Sequence, residues 1–350
     1  MRKLALPFVL ACLCSFPATA ASWDTAGWMG QLLARKPLVT LGQMTMPGSH
    51  DAGAIKGTLH HCPVYVFKSW AATQGESILD QLKAGTRFFD LRLSRDSEGN
   101  FETYHSCDAT PLATVLNDVK TFISNAGSGS EAVILKFSHT HSTADTADYR
   151  AAIIAQVKAK FGSTLFSFRT SNSLGKVKLS DVKGKVIAVF DSEFGNRRVA
   201  ADGIIPYVDV PDPPNEIESI VLPNITLPAA IVYDHYSKTT NLDDMVNDQF
   251  GKLGLLSGGP NSNGTCPYDG PHKGAGRGGY GNSYLFLLSW TLTGGFGKLD
   301  IEDLAAKANP SMTVAIDNIR KCKLRRPNIV YYDFVDETYN KAIIAINDMP

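Results

Sequence analysis

Four histidines, an arginine and a set of carboxylates, with a serine and a tyrosine, stand at the ends of separate apolar runs in this chain. They are His50-Asp51, Asp90 with Arg92, His105, Ser138-His139, Asp191, Asp234-His235-Tyr236 and Asp333. These residue types together suit phosphoryl transfer. One neutral imidazole takes a proton from an attacking hydroxyl while a second, protonated one gives a proton to the leaving oxygen. The guanidinium holds the charged phosphorus centre between them. Carboxylates beside the rings, Asp51 and Asp333, fix their orientation and favour the imidazolium form.

Such a set works only where the backbone brings the ends of many runs to one place. Short runs rich in β-branched and aromatic residues recur at 43–46, 88–93, 101–105, 132–138, 186–191, 229–234, 284–290 and 328–335. Helical patterns lie between several of them, at 76–84, 111–125, 143–161, 241–250, 301–308 and 311–321. This alternation predicts a parallel sheet, and eight strands predict an irregular (β/α)8 TIM barrel whose site gathers at the C-terminal strand ends. A Rossmann sheet competes, but no GxGxxG follows the first run. Only seven residues separate Leu93 from Phe101, so that link predicts a hairpin-like connection. The long connections 192–228 and 254–282 predict loops over the barrel rim.

Strand alternation puts Phe88, Asp90 and Arg92 on one face, and does the same for Phe101, Thr103 and His105, for Val232, Asp234 and Tyr236, and for Ile329, Tyr331 and Asp333. Charges buried on such faces must pair with one another or with a ligand. Asp90 reads as a structural member of that network.

Composition bounds the rest. The chain has 350 residues, 44% of them hydrophobic and 19% charged, with 34 Lys and Arg against 34 Asp and Glu. No global field draws it to nucleic acid, and no run after the first twenty residues approaches a membrane span. Residues 1–20 have a basic start, an apolar stretch and Ala18-Thr19-Ala20, which reads as a secretory signal peptide. Residues 21–350 read as one domain without an internal repeat. Cys62, Cys107, Cys266 and Cys322 remain after that segment, which predicts two disulfides in an oxidising compartment. The pairing Cys62 with Cys107 and Cys266 with Cys322 is favoured because the first two flank segments that become neighbours. His60 and His61 precede Cys62 in a loop and read as rim or surface residues.

Met46-Pro47-Gly48-Ser49-His50-Asp51-Ala52-Gly53, Thr73-Gln74, Gly85-Thr86-Arg87-Phe88-Phe89-Asp90-Leu91-Arg92 and Tyr104-His105 resemble the X-domain signature of phosphatidylinositol-specific phospholipase C. The resemblance is closest to the secreted, metal-independent bacterial branch and implies a phospholipase-type barrel acting on a phospholipid headgroup at a membrane surface. It implies that His50 is the base toward the inositol 2-hydroxyl and His105 the acid toward the diacylglycerol oxygen. Asp333 partners His50, Asp51 partners His105, and Arg92 clamps the phosphate. Asp234 and Tyr236 line the inositol pocket, Tyr236 by stacking. Diacylglycerol and an inositol cyclic phosphate are the implied products. No cofactor or metal is expected, because Arg92 occupies the place of a calcium-binding carboxylate in the calcium-using branch. The chain departs from the family at Ser106-Cys107, where glycine is usual. It also departs at the headgroup ligands, with Asp191 replacing a basic residue and Ser138 and His139 standing where a lysine is expected. Two other readings compete: a barrel that binds phosphoinositide or glycan without catalysis, and a metal-dependent phosphodiesterase of glycerophosphodiester or sphingomyelinase type.

Overall fold

Apolar residues in the strands alternate between two destinations, and this builds two layers of core. The computed structural model describes residues 23–96, 98–125, 129–142, 149–210, 226–253, 284–293, 299–321 and 326–349. Its strands are β1 (Met46–Ser49), β2 (Phe88–Arg95), β3 (Phe101–His105), β4 (Cys107–Pro111), β5 (Ala132–Ser142), β6 (Lys185–Phe190), β7 (Ile204–Asp209), β8 (Ala230–Asp234), β9 (Leu285–Ser289) and β10 (Ile329–Tyr332). The helices are α1 (Trp28–Arg35), α2 (Ile78–Lys83), α3 (Leu112–Ser124), α4 (Tyr149–Phe161), α5 (Leu242–Lys252), α6 (Ile301–Lys321) and α7 (Glu337–Ile344).

Eight parallel strands, in the order β1-β10-β9-β8-β7-β6-β5-β2, close into a barrel through the β1–β2 pairing. Met46, Phe88, Ile134, Ile187, Val189, Ile205, Val232, Leu287 and Ile329 belong to the cluster that fills it. The alternate residues Phe89, Leu91, Val133, Leu135, Phe137 and Phe190 face outward and pack with α3 and α4. Leu112, Val115, Leu116, Val119, Phe122 and Ile123 recur at helical spacing and are the buried stripe of α3. Each large side chain so buried contributes about 1.5–3 kcal/mol.

Two strand assignments from sequence change. The run at 101–105 is not a barrel stave: β3 runs antiparallel to β2, and β4 runs antiparallel to β3, so together they extend the sheet outside the closed ring. The short β2–β3 link permits nothing else, because a parallel neighbour needs a crossover of a dozen residues or more. The missing stave is β7, which lies within the 192–228 connection read as a rim loop. Its Ile204–Asp209 run is short and interrupted by Pro206, a weak strand signal that packing between β6 and β8 overrides. The first strand is also shifted, since residues 41–43 form a 3-10 turn and β1 begins at Met46. The helices expected at 301–308 and 311–321 are one continuous α6 with Pro310 inside it.

Glycines in the first motif are required by close approach. A Cβ on Gly48 would sit 2.8 Å from the Tyr331 Cβ, and one on Gly53 would overlap the Thr103 side chain. Beneath the barrel, Arg87 is fully buried and bonds the Glu131 carboxylate at 2.9 and 2.7 Å, along with the carbonyls of Leu82, Thr86, Thr25 and Ala26. Glu131 in turn accepts from the Met29 and Gly30 amides at the start of α1. Among the described residues, no helix is long and apolar enough to cross a membrane. Cys62 and Cys107 form a disulfide; Cys266, Cys322 and residues 1–20 lie outside the described residues.

Candidate active site

The C-terminal ends of β1, β2, β5, β8 and β10 carry the polar residues singled out from the sequence, and the β3–β4 hairpin brings His105 in from outside the ring. Four of the residues that follow them adopt the left-handed backbone region: Asp51 (φ 41°), Ser106 (φ 59°), His139 (φ 49°) and Phe334 (φ 52°). Side-chain-bearing residues avoid this region, so the concentration at the barrel mouth is the strain often found at functional sites. At Ser106 it gives a physical reason for the glycine usual there.

His50 Nδ1 lies 2.8 Å from Asp333 Oδ1, which fixes the ring and leaves Nε2 turned toward Asp51 and Arg92. His105 Nδ1 lies 3.0 Å from the Ala71 carbonyl, which can only accept, so Nδ1 carries a hydrogen and Nε2 again faces inward. The two ring centroids are 6.5 Å apart. Asp51 sits between them, with Oδ2 3.4 Å from His50 Nε2 and 3.6 Å from His105 Nε2. Its other oxygen pairs with Arg92 Nε at 2.6 Å. A second Arg92 nitrogen lies 3.4 Å from His50 Nε2 and 3.8 Å from Asp90. The ring of His105 is therefore oriented by a backbone carbonyl, whereas Asp51 is bound more closely to Arg92 than to either histidine.

Thr73 and Gln74 explain how two distant strand ends are held in register. The Gln74 amide donates to the carbonyls of His50 and Tyr332 at 2.9 and 3.2 Å and accepts from Val335 N at 3.0 Å. Thr73 Oγ1 donates to the Asp51 carbonyl at 2.8 Å, and its own carbonyl accepts from Phe334 N.

Behind the histidines the barrel closes on a charged layer in which the structure adds a residue that sequence reasoning missed. Lys136 Nζ lies 2.8 Å from Asp234 and 3.2 Å from Asp90. Tyr207 donates to the same Asp234 oxygen at 2.7 Å, and Ser138 donates to Asp90 at 3.3 Å. The lysine absent after Ser138 is thus replaced by a cation two residues earlier. Strand alternation from Ser138 pointed to it, since both must face one side. A second cation, Arg198, reaches the same cavity from the segment after β6, and Tyr207 comes from the unrecognised strand.

Asp191 has another occupation. Its oxygens accept the Glu193 and His139 amides, capping the short helix that follows β6. It remains on the wall of the cavity of about 1010 Å³ that also contains Arg92, Lys136, Ser138, His139, Asp234 and Tyr236. Tyr236 is 44% exposed there, open enough to offer a ring face to a ligand.

Electrostatics follow from this geometry. Burial opposes charge on His50, but Asp51 and Asp333 outweigh it and raise the imidazole from 6.5 to about 9. Burial likewise opposes charge on Asp90, yet Lys136, Arg92 and His50 hold it well below the usual carboxylate range. Burial disfavours charge on Lys136 and Arg92 too; Asp234 and Asp90 hold Lys136 charged, and Asp51 and Asp90 hold Arg92 charged. His50, Asp51 and Asp90 also stand close enough together to surround a cation. Their oxygens are engaged by Arg92 and Lys136, so side-chain ammonium and guanidinium groups already fill that electrostatic role.

Residues 44–190 match the family model for phosphatidylinositol-specific phospholipase C, X domain. This segment is similar to that family. Among curated proteins, the variant-surface-glycoprotein phospholipase C of Trypanosoma brucei brucei is 30% identical over 142 residues, covering 33% of this chain and 40% of the relative. The 1-phosphatidylinositol phosphodiesterase of Listeria monocytogenes is 26% identical over 174 residues, covering 49% and 50%. The chain thus spans about half or less of the length of these relatives. Among solved structures, phosphatidylinositol-specific phospholipase C from Listeria monocytogenes superimposes with a TM-score of 0.59 at 16% identity, covering 92% of this chain and 98% of that one. A Staphylococcus aureus enzyme of the same description gives 0.61 at 18% identity, covering 92% and 97%. At those identities the likeness establishes the barrel fold.

Proposed function

We propose that the protein is a phosphodiesterase of the phosphatidylinositol-specific phospholipase C type, which cleaves phosphatidylinositol or its glycosylated form at the glycerol side of the phosphate. The observation that carries this reading is the pair His50 and His105, 6.5 Å apart, with both inner nitrogens facing Asp51 and with Arg92 beside them. His50 Nε2, once free of its proton, accepts one from the inositol 2-hydroxyl. The resulting oxygen attacks phosphorus while the bond to the glycerol oxygen breaks, and His105 Nε2 protonates that oxygen. The products are diacylglycerol and an inositol cyclic phosphate. Because the nucleophile is already on the substrate, no water has to be ordered. Arg92 neutralises the phosphate without a metal ion. Asp333 keeps His50 in the required tautomer, as the Ala71 carbonyl does for His105. Asp234, Tyr236, Ser138 and His139 line the headgroup cavity, which Lys136 and Arg198 also reach.

Exposed Val64, Tyr65 and Phe67 on the β1–α2 connection give the mouth an apolar edge suited to a lipid surface. The signal-like residues 1–20 and the Cys62–Cys107 disulfide support export to an oxidising compartment.

Incubation of the purified protein with radiolabelled phosphatidylinositol, with and without EDTA, tests the reading. Inositol cyclic phosphate formed in both arms supports it, and loss in EDTA removes the metal-free mechanism. Full turnover by His50→Ala or His105→Ala removes the role assignment.

A further inference from the structure

A second cluster lies on the β3–β4 hairpin, on the face of β3 opposite to His105. Glu102 alternates with Thr103 and is therefore turned away from the barrel mouth. It is 8% exposed, and its Oε2 makes no hydrogen bond other than its approach to His60, whose Nε2 stands 2.8 Å away. His60 Nδ1 lies 2.9 Å from the Thr58 carbonyl, which can only accept. That contact places the ring hydrogen on Nδ1 and leaves Nε2 a lone pair when His60 is neutral. Two lone pairs facing each other at that distance repel unless a cation or a proton lies between them. His61 follows in the left-handed region, at φ 47°, and this backbone turns its ring to within 4.7 Å of the His60 ring. Its Nδ1 is 3.4 Å from Asp108 Oδ2. One ligand atom from each of His60, His61 and Glu102 lies within 4.8 Å of the others.

We propose that His60, His61 and Glu102 bind a divalent transition-metal ion of the zinc type, with the Thr58 carbonyl and Asp108 orienting the rings. Two imidazoles and one carboxylate, each ring held through its other nitrogen, form the donor set that zinc prefers when a fourth position is left to water. The ion would join the connection carrying His60 to the hairpin that carries His105, beside the Cys62–Cys107 link. This site stands apart from the proposed phosphodiester chemistry and does not depend on it.

Zinc titrated into chelator-treated full-length protein, with the Cys62–Cys107 disulfide kept oxidised and any remaining thiols alkylated so that no thiolate competes, should bind with one-to-one stoichiometry and raise the thermal midpoint. His60→Ala and Glu102→Gln should each weaken zinc binding by about tenfold or more, and their zinc-free unfolding checks that the fold survives. Cobalt in place of zinc should give visible absorption bands characteristic of low coordination number, a readout that needs no variant. Absence of saturable binding overturns the proposal. So does wild-type affinity in both variants, or binding abolished only by His50→Ala.

Discussion

Asp51 and Arg92 meet at 2.6 Å in the space between two imidazoles. That ion pair turns a group of separately buried charges into one network, because the other Asp51 oxygen faces both inner histidine nitrogens. Replacing the guanidinium with a single ammonium cannot reproduce contacts to Asp51, Asp90 and His50 at once. Arg92→Lys should lower kcat on phosphatidylinositol by about 100- to 1000-fold with a much smaller change in KM. A change confined to KM would make Arg92 a binding residue only.

The proton on His50 sets the pH dependence. The free protein holds it up to about 9, so kcat/KM should climb with pH toward that value. Asp333→Asn removes one of the carboxylates that retain the proton and should move this limb toward lower pH, even as the maximum rate falls. A limb that stays in place would mean that another group controls it.

The same shift has a thermodynamic face. A histidine raised from 6.5 to about 9 contributes stability that is complete below pH 6.5 and is lost as pH rises through 9. The amount is roughly 3 kcal/mol. Denaturant unfolding of the protein and of His50→Gln between pH 6 and 10 should show that the variant lacks this decline.

Lys136 neutralises Asp90 and Asp234 from inside the barrel. Lys136→Met leaves both carboxylates without their shared cation, and stability should fall by about 3–5 kcal/mol in chemical denaturation. Lys136→Arg, which keeps the charge, should recover part of that loss.

Arg87 and Glu131 form a buried pair at the opposite end of the barrel from the histidines. Arg87→Met should cost about 3–5 kcal/mol of stability while the folded fraction retains its turnover number. Loss of turnover in folded protein would show that this pair also shapes the mouth.

Several parts of this architecture were legible in the residues themselves. Period-two alternation placed Asp90 with Arg92 and Tyr331 with Asp333, and the strand-helix rhythm indicated a barrel, because both rest on local backbone geometry. Cys62 with Cys107 was favoured for another reason, that both flank segments that become neighbours, and the two are bonded. His105 was read on the right segment but the wrong kind of strand. Whether a short run joins the ring or folds back on its neighbour depends on the length of the link and on which edge is free. β7 was hidden because its pairing with β6 and β8, not its own composition, makes it a strand.

The order of chemical groups along this chain fixed which residues could meet, because strand periodicity and motif spacing are properties of neighbours in sequence. Their actual partners were decided in three dimensions. Asp51 turns to Arg92, His105 to the Ala71 carbonyl, and Lys136 to two acids from different strands. The reason is that a buried charge is stabilised by whatever opposite charge or dipole the closed barrel places within a few ångströms, and barrel closure joins residues hundreds of positions apart.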